Sequence, residues 1–206
     1  MNSAPPPPAR RAYRQAARAE AAEVTGQRIV EAFLTALRER WMEDITLEDV
    51  ARAAGVSVQT VIRRFGGKPG LLEAATGAVD ADVRKTRGVP KGDLPTAVAN
   101  LCADYERTGD MLIRLLAQED RYPALAAFLD YGRTHHRSWV AEVAEPWLAE
   151  LDAPAREAAL DALVATLDVY VWRLLRRDIG RSADQARHTV LRMAQVMLND
   201  IARPER

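Results

Sequence analysis

One short segment carries side chains whose types suit contact with the bases and phosphates of a nucleic acid. Glutamine can form paired hydrogen bonds with adenine and arginine with guanine, while threonine can touch a thymine methyl group or a phosphate. Just after these residues Gly66-Gly67-Lys68 opens a new helix, where free backbone N–H groups and an ammonium can hold a phosphate. The polar residues share the outer face of a predicted helix over 58–65: Gln59, Thr60, Arg63 and Arg64.

Two short helices and a sharp turn are predicted to position these side chains. Thr46, with Asp49 three residues later, forms a capping box that begins the first helix. Gly55 stands at the turn, because only glycine enters left-handed backbone space without penalty. Ser57 is the expected cap of the second helix. The segment therefore predicts a helix-turn-helix, although a plain corner of a helical bundle has a similar pattern. The inner face of the second helix is predicted to be Val61, Ile62 and Phe65.

This segment resembles the DNA-binding head of the tetracycline-repressor (TetR) family. The resemblance covers about 45 of the 206 residues and includes Ile29-Val30-Glu31-Ala32-Phe33, which is similar to the family's first helix. Two positions depart from the family pattern: Ile62 replaces a usual aromatic residue that touches the DNA backbone, and Gly67 replaces a usual serine-like cap. The run that carries the resemblance is Thr46-Leu-Glu-Asp-Val-Ala-Arg-Ala-Ala-Gly-Val-Ser-Val-Gln-Thr-Val-Ile-Arg-Arg-Phe-Gly-Gly-Lys-Pro-Gly-Leu-Leu72.

The resemblance implies an all-α protein that binds DNA as a symmetric homodimer and holds an effector inside each body. It implies an N-terminal three-helix helix-turn-helix head and a C-terminal helical bundle, about nine helices in all. The last pair of helices is expected to dimerise. The residues expected at the DNA are Thr46, Ser57, Gln59, Thr60, Arg63, Arg64 and Lys68.

Three regions are predicted along the chain. Residues 1–23 form a flexible basic arm or a nascent basic helix, either a solvated tail or an element that reaches DNA. Residues 24–70 form the DNA-binding domain, whose first helix is expected to begin at an N-cap, Thr25, and to end near Trp41. Residues 71–206 form the effector-binding and dimerisation domain. The arm carries four arginines, namely Arg10, Arg11, Arg14 and Arg18.

The body follows a linker at Gly88-Val89-Pro90-Lys91-Gly92 and is predicted to contain five helices. Proline in the first turn, capping residues and glycine breaks give the expected bounds. The predicted helices run from Pro95 to Gly109, from Met111 (capped by Asp110) to Gln118, from Pro123 to about Glu145, from Pro154 to Asp178, and from a Ser182–Gln185 capping box to before Pro204.

Two sets of body residues are candidates for binding. Aromatic residues favour an apolar effector pocket, with ordinary core packing as the alternative. The helix over 154–178 has two apolar faces, so one is expected to meet a second copy of the chain. The pocket candidates are Tyr105, Tyr131, His135, Trp139 and Trp172. The candidates for the dimer interface are Leu160, Leu163, Leu167, Val171, Val190, Met193 and Met197.

Composition excludes several other classes of protein. Cys102 is the one cysteine, so a secreted disulfide scaffold is excluded. No apolar run reaches the ~20 residues of a membrane span and no signal-peptide pattern is present, so the expected location is cytoplasmic. His135 and His136 are adjacent and therefore diverge on a helix, so no metal site is expected. No catalytic motif is found, and we expect neither a cofactor nor an enzyme.

The sequence therefore predicts a repressor that a small molecule releases from a palindromic operator. An activator or a ligand-independent DNA-binding regulator of the same fold is the first alternative. A helical enzyme or binding module is the second. The helix from Gly70 to about Thr86 would link the head to the body, and a neutral or cationic aromatic effector is expected.

Overall fold

The computed structural model describes residues 8–201, with the side chains of residue 13 and of residues 15–201. Every regular element in this range is helical, which confirms the all-α prediction. The chain divides between Ala75 and Thr76 into two compact units. Over the described range, no helix is both long and apolar enough to cross a membrane.

The first unit packs short helices against one long helix. Ile29, Phe33 and Leu37 follow each other at four-residue spacing along that long helix and are buried, together with Ile45 and Val61. This spacing places the three side chains on one stripe, which explains why the helix packs by that face. The elements are α1 (Pro8–Glu39), a 3₁₀ turn (Met42–Asp44), α2 (Leu47–Ala54), α3 (Val58–Phe65) and the beginning of α4 (Lys68–Arg87).

Local capping confirms three predictions about the helix-turn-helix. The Thr46 hydroxyl accepts from the Asp49 N–H at 3.1 Å, and the Thr46 N–H donates to the Asp49 carboxylate at 3.4 Å. Gly55 ends α2 in the left-handed region with φ +65°. The Ser57 hydroxyl accepts from the Thr60 N–H at 3.2 Å and caps α3. The segment therefore has the expected order: a capped helix, a glycine turn and a second capped helix.

Two predictions about these helices are wrong. Thr25 is not an N-cap, because α1 already runs through it and its hydroxyl donates to the Ala21 carbonyl at 2.8 Å. Ile62 does not lie on the inner face of α3, because 41% of it is exposed while Val61 beside it is fully buried.

The N-terminal arm is helical where the structure describes it. Helix α1 begins at Pro8, so residues 8–23 continue the helix that carries the core stripe. This agrees with the helical alternative for these residues. Residues 1–7 and the side chains of Arg10, Arg11 and Arg14 lie outside the described part, so their expected role at DNA stays a prediction.

The second unit is a bundle in which α5, α8, α9 and α10 pack around one apolar core. Trp172 lies at its centre and is 2% exposed. The Ser182–Gln185 capping box before the last helix is confirmed, with the Gln185 N–H donating to the Ser182 hydroxyl at 3.2 Å. The elements are the end of α4, α5 (Leu94–Leu116), a 3₁₀ turn (Glu119–Arg121), α6 (Pro123–Val143), α7 (Glu145–Leu148), α8 (Ala153–Thr166), α9 (Val169–Arg173), a π-helical segment (Leu174–Asp178) and α10 (Ala183–Ile201).

Two predicted helix bounds in this unit are wrong. The expected break at Gly109 is absent, because Gly109 makes room for the Trp172 ring inside a continuous α5. Asp110 accepts from Arg177 at 2.8 Å and 2.9 Å and so does not cap a new helix. The expected single helix over 154–178 is broken at Leu167 and Asp168, where the Asp168 carboxylate accepts from the Tyr170 N–H and starts α9.

Candidate nucleic-acid interface

Helix α3 presents an exposed polar face beside its N-terminal cap. Gln59 and Arg63 are exposed on this face, four residues and about one turn apart. The Thr60 hydroxyl lies 2.9 Å from that of Ser57, so these two groups are held together at the start of the helix. The face therefore combines an amide, two hydroxyls and a guanidinium, which are the groups that read base edges and phosphates.

The start of α2 is fixed by a charged network around Asp49. Its carboxylate accepts from Arg40 at 2.9 Å as well as from Thr46. These hydrogen bonds, that from Arg40 first, lower the pKa of Asp49 to about 2. Arg40 also donates to the Asp44 carbonyl. The Thr46 hydroxyl thus serves the cap of α2, and its expected contact with DNA stays a prediction.

Lys68 ties the beginning of α4 to the 3₁₀ turn. Its ammonium donates to the Met42 carbonyl at 2.8 Å and is partly buried. Burial, followed by the charge of Arg40, lowers the pKa of Lys68 below its usual range. A lysine ammonium has three protons, so one hydrogen bond to Met42 leaves donors for another acceptor. The phosphate contact expected of Lys68 stays a prediction.

Three glycines shape the corner between α3 and α4. Gly66 and Gly67 have φ +73° and +136°, which L side chains rarely adopt. A Cβ on Gly70 would lie 2.9 Å from the Phe65 carbonyl carbon and closer still to its oxygen. The corner therefore requires glycine at all three places, and it fixes where α3 ends.

Arg64 lies apart from Arg63, the other cation of α3. Its guanidinium is 3.4 Å from the Glu23 carboxylate and lies over the α1 backbone at Gly26. Its Cζ atom is 5.9 Å from the centroid of the Phe65 ring. The structure thus places the Arg64 side chain against α1, although Arg64 is an exposed residue, as are Gln59 and Arg63.

The five predicted pocket residues fall into separate groups in the second unit. Tyr105 and Trp172 are buried core rings whose centroids are 6.2 Å apart, and the Tyr105 hydroxyl donates to the Leu167 carbonyl. Tyr131 and His135 stack at 4.0 Å near the surface, where His135 Nδ1 is 3.3 Å from Asp80. The first pair matches the core-packing alternative, and the second is a surface cluster.

Trp139 belongs to a third group, built around a buried arginine. The Trp139 indole donates to the Arg87 carbonyl at 3.1 Å, and its ring lies 5.8 Å from the Arg87 guanidinium. The centroid of the Tyr105 ring lies 5.2 Å from the Cζ atom of Arg87. Asp104 accepts from Arg87 Nε at 2.8 Å, and both side chains are buried. This Arg87 cluster comprises Arg87, Asp104, Tyr105, Trp139 and the neighbouring His136.

His136 is one of three members of the Arg87 cluster that sequence reasoning missed, together with Arg87 and Asp104. Its ring stacks on Trp139 at 5.9 Å, and neither ring nitrogen, both inaccessible to solvent, makes a hydrogen bond of full geometry within the described residues, although the Val164 backbone makes a weaker one. Burial and then the charge of Arg87 lower the pKa of His136 to about 4. The signal available in the sequence was the three-residue spacing from Trp139, which places both rings on one helix face.

The predicted dimer residues are divided between core and surface. Leu160, Leu163, Leu167 and Val190 are buried in the core of the same protomer, so they are not available to a partner and this part of the prediction is wrong. Val171 and Met197 are partly buried. Met193 is exposed and lines a shallow depression along α10. Of the residues of this depression, the sequence prediction named only Met193 and Met197. The residues of this depression are His188, Thr189, Arg192, Met193, Val196 and Met197.

No group of three or more potential metal ligands is found within residues 8–201. His135 and His136 illustrate the reason, since one faces Asp80 and the other stacks on Trp139.

Comparison with known proteins agrees with this geometry. Residues 29–75 match the family model described as bacterial regulatory proteins of the TetR family. The matched range contains the stripe of α1, the whole helix-turn-helix and the glycine corner. No curated protein matches the chain in sequence.

Solved structures share the fold over most of the chain. A TetR-family regulator from Rhodococcus sp. is 23% identical, with TM-score 0.65 over 84% of this chain and 98% of that one. A transcriptional regulator from Rhodococcus sp. Rha1 is 18% identical, with TM-score 0.67 over 84% and 96%. A TetR regulator from Rhodococcus sp. RHA1 is 20% identical, with TM-score 0.55 over 88% and 97%. Residues 29–75 thus match the N-terminal domain of the TetR family, and the chain shares the fold of these solved regulators over most of its length.

Proposed function

We propose that this regulator is a repressor that binds a palindromic operator as a homodimer and leaves it when a small molecule binds. The observation that carries the DNA-binding part is α3, a capped helix with Gln59 and Arg63 exposed on one face. Such a helix enters the major groove and reads base edges. In a dimer, the two recognition helices lie one DNA turn, about 34–36 Å, apart.

Salt dependence tests this proposal without knowledge of the operator. Each cation that neutralises a phosphate releases condensed counterions, which gives a log–log slope near −0.9 per contact. We expect binding to a DNA duplex to weaken about a hundredfold or more between 50 and 200 mM salt. Selection of bound duplexes from a random pool should then return an inverted repeat. Affinity that is flat across the salt range would contradict DNA binding by this chain.

The partner in the proposed dimer is a second copy placed on the α10 depression. Met193 and Val196 are 41% and 61% exposed there, although both are apolar. Burying them against the same surface of another copy would remove this apolar area from water. Sedimentation should show a dimer, and Met193→Glu combined with Val196→Glu should give monomers. Val24→Glu, at an exposed apolar residue of α1, is the matched control and should leave the dimer intact.

We place the effector at the Arg87 cluster. The ring nitrogens of His136 are buried with at most a weak hydrogen bond to the Val164 backbone, and the Trp139 ring stacks on the imidazole. A neutral imidazole supplies one donor and one acceptor. Arg87 is cationic and adjacent, so it disfavours a cationic ligand. The proposed effector is therefore a neutral aromatic molecule with a polar group that bonds to His136.

Helix α4 is the proposed connection between effector and DNA, because it begins at Lys68 and ends at Arg87 in the cluster. A ligand that prefers the DNA-free conformation about 100-fold shifts the balance by about 2.7 kcal/mol, and operator DNA must weaken ligand binding by the same factor. Any compound that raises the melting temperature can be titrated calorimetrically with and without operator. Equal affinity in both titrations would contradict this coupling. Transcription in vitro from a promoter containing the operator distinguishes repression from activation.

A further inference from the structure

Gly26 stands in the middle of α1, where glycine is unfavourable. The helix runs without interruption from Pro8 to Glu39, and Gly26 is buried within it. Glycine inside a helix is about 1 kcal/mol less stable than alanine, so such a residue calls for a packing reason. The structure supplies one, because a Cβ at this position would lie 2.5 Å from Nε and 2.7 Å from Cζ of Arg64.

The guanidinium of Arg64 is held at this place by contacts on more than one side. The α1 backbone at Gly26 lies beneath it, the Glu23 carboxylate is 3.4 Å from one of its nitrogens, and the Phe65 ring is nearby. Glu23 and Gly26 are three residues apart, which places them on the same face of α1. The Arg64 side chain is 31% exposed. A planar guanidinium suits a flat glycine surface better than a flexible ammonium would.

We propose that Gly26 and Glu23 form a socket for Arg64, which makes Arg64 a positioning residue that braces α3 against α1. The socket also withholds one positive charge of α3 from DNA phosphates. Both arginines are exposed, but Arg63 is the one without an ion pair among the described residues, so sequence-independent binding is weaker than two unpaired arginines would give. The second part of this inference rests on the proposed DNA binding, whereas the socket itself does not.

The test uses four full-length proteins: the natural chain, Gly26→Ala, Arg64→Ala and the double variant. Without DNA, thermal melting measures the contact. Alanine favours the helix in both backgrounds, but with Arg64 present it also expels the guanidinium from the socket. Gly26→Ala should therefore raise the melting temperature more in the Arg64→Ala background than in the natural one. An equal change in both backgrounds would show that the two residues do not interact.

Salt titration with a mixed-sequence duplex measures the withheld charge. Arg64→Ala should leave the log–log slope unchanged, while Arg63→Ala, the matched neighbour, should reduce it by about 0.9 per protomer. Gly26→Ala should steepen the slope and tighten binding, because it frees Arg64, and the double variant should return to the Arg64→Ala value. A slope that falls as much for Arg64→Ala as for Arg63→Ala would overturn the inference. If no variant binds the duplex, the proposed DNA binding fails, and the melting comparison alone decides the socket.

Discussion

Arg87, the last residue of α4, is paired with Asp104 of α5 in the interior of the second unit, with Arg87 Nε 2.8 Å from the Asp104 carboxylate. Arg107 donates to the other carboxylate oxygen at 2.8 Å. Two aromatic rings also lie near the guanidinium, with their centroids 5.2 Å and 5.8 Å from Arg87 Cζ, so the buried charge has favourable contacts besides Asp104. The pair therefore anchors the end of α4.

Breaking this pair should strongly destabilise the second unit. Arg87→Met leaves the Asp104 carboxylate buried without its main partner, and such single removals cost about 3–5 kcal/mol. Replacing both residues, as in Arg87→Met with Asp104→Leu, should recover much of the loss because no charge is left buried. Chemical denaturation of the natural chain and these two variants measures the difference. Arg84→Met, at an exposed residue one turn earlier, is the control and should change stability little.

Gly109 should not tolerate a side chain. A Cβ there would lie 2.6–2.7 Å from ring atoms of Trp172, which is fully packed, so we expect Gly109→Ala to cost about 1–3 kcal/mol through overpacking. Gly132→Ala is the matched control, since a Cβ on this α6 residue meets no atom within 4 Å. The control should instead stabilise by roughly 0.5–1 kcal/mol. Thermal unfolding that showed the same sign for both would contradict the packing described for Trp172.

His136 should make stability depend on pH between about 6.5 and 4. The fold lowers its pKa from 6.5 to about 4, so within this window the unfolded chain binds the proton and the folded chain does not. Stability must then fall as pH falls through the window and level off below it. His136→Gln should remove this component of the pH dependence, whereas His188→Gln, at an exposed residue of α10, should keep it. Unfolding curves collected at several pH values provide the measurement.

Base preference should separate Arg63 from Lys68. Arg63 is exposed on α3, so Arg63→Ala should cost roughly 1–3 kcal/mol at cognate duplexes and relax the preference at the bases it reads. Gln59→Ala should do the same at a different base. Lys68 begins α4 and donates a hydrogen bond to the Met42 carbonyl, and we expect it to contact phosphates only, so Lys68→Ala should weaken all duplexes alike. The measurement is selection of bound sequences from randomised duplexes. If Lys68→Ala changed the preferred sequence, the roles assigned to Arg63 and Lys68 would be reversed.

The sequence by itself determined the helical class, the DNA-binding head and its caps. These features depend on neighbours within four residues, such as Thr46 with Asp49 or Ser57 with Thr60, and on glycine at a left-handed turn. Local spacing is sufficient for them because the hydrogen bonds they make are local. The order of these signals is also what the family model matches.

The tertiary structure alone decided which face of each helix is buried and what each charge contacts. Periodicity found two apolar faces over 154–178, but only packing shows that Leu160 and Leu163 lie in the protomer's own core. Arg63 and Arg64 are adjacent and chemically identical, yet only Arg64 lies on Gly26 and pairs with Glu23. Gly109 resembled a helix end, but it accommodates Trp172 from 63 residues further along the chain. Contacts between residues so distant in sequence leave no local pattern, so only the folded chain reveals them.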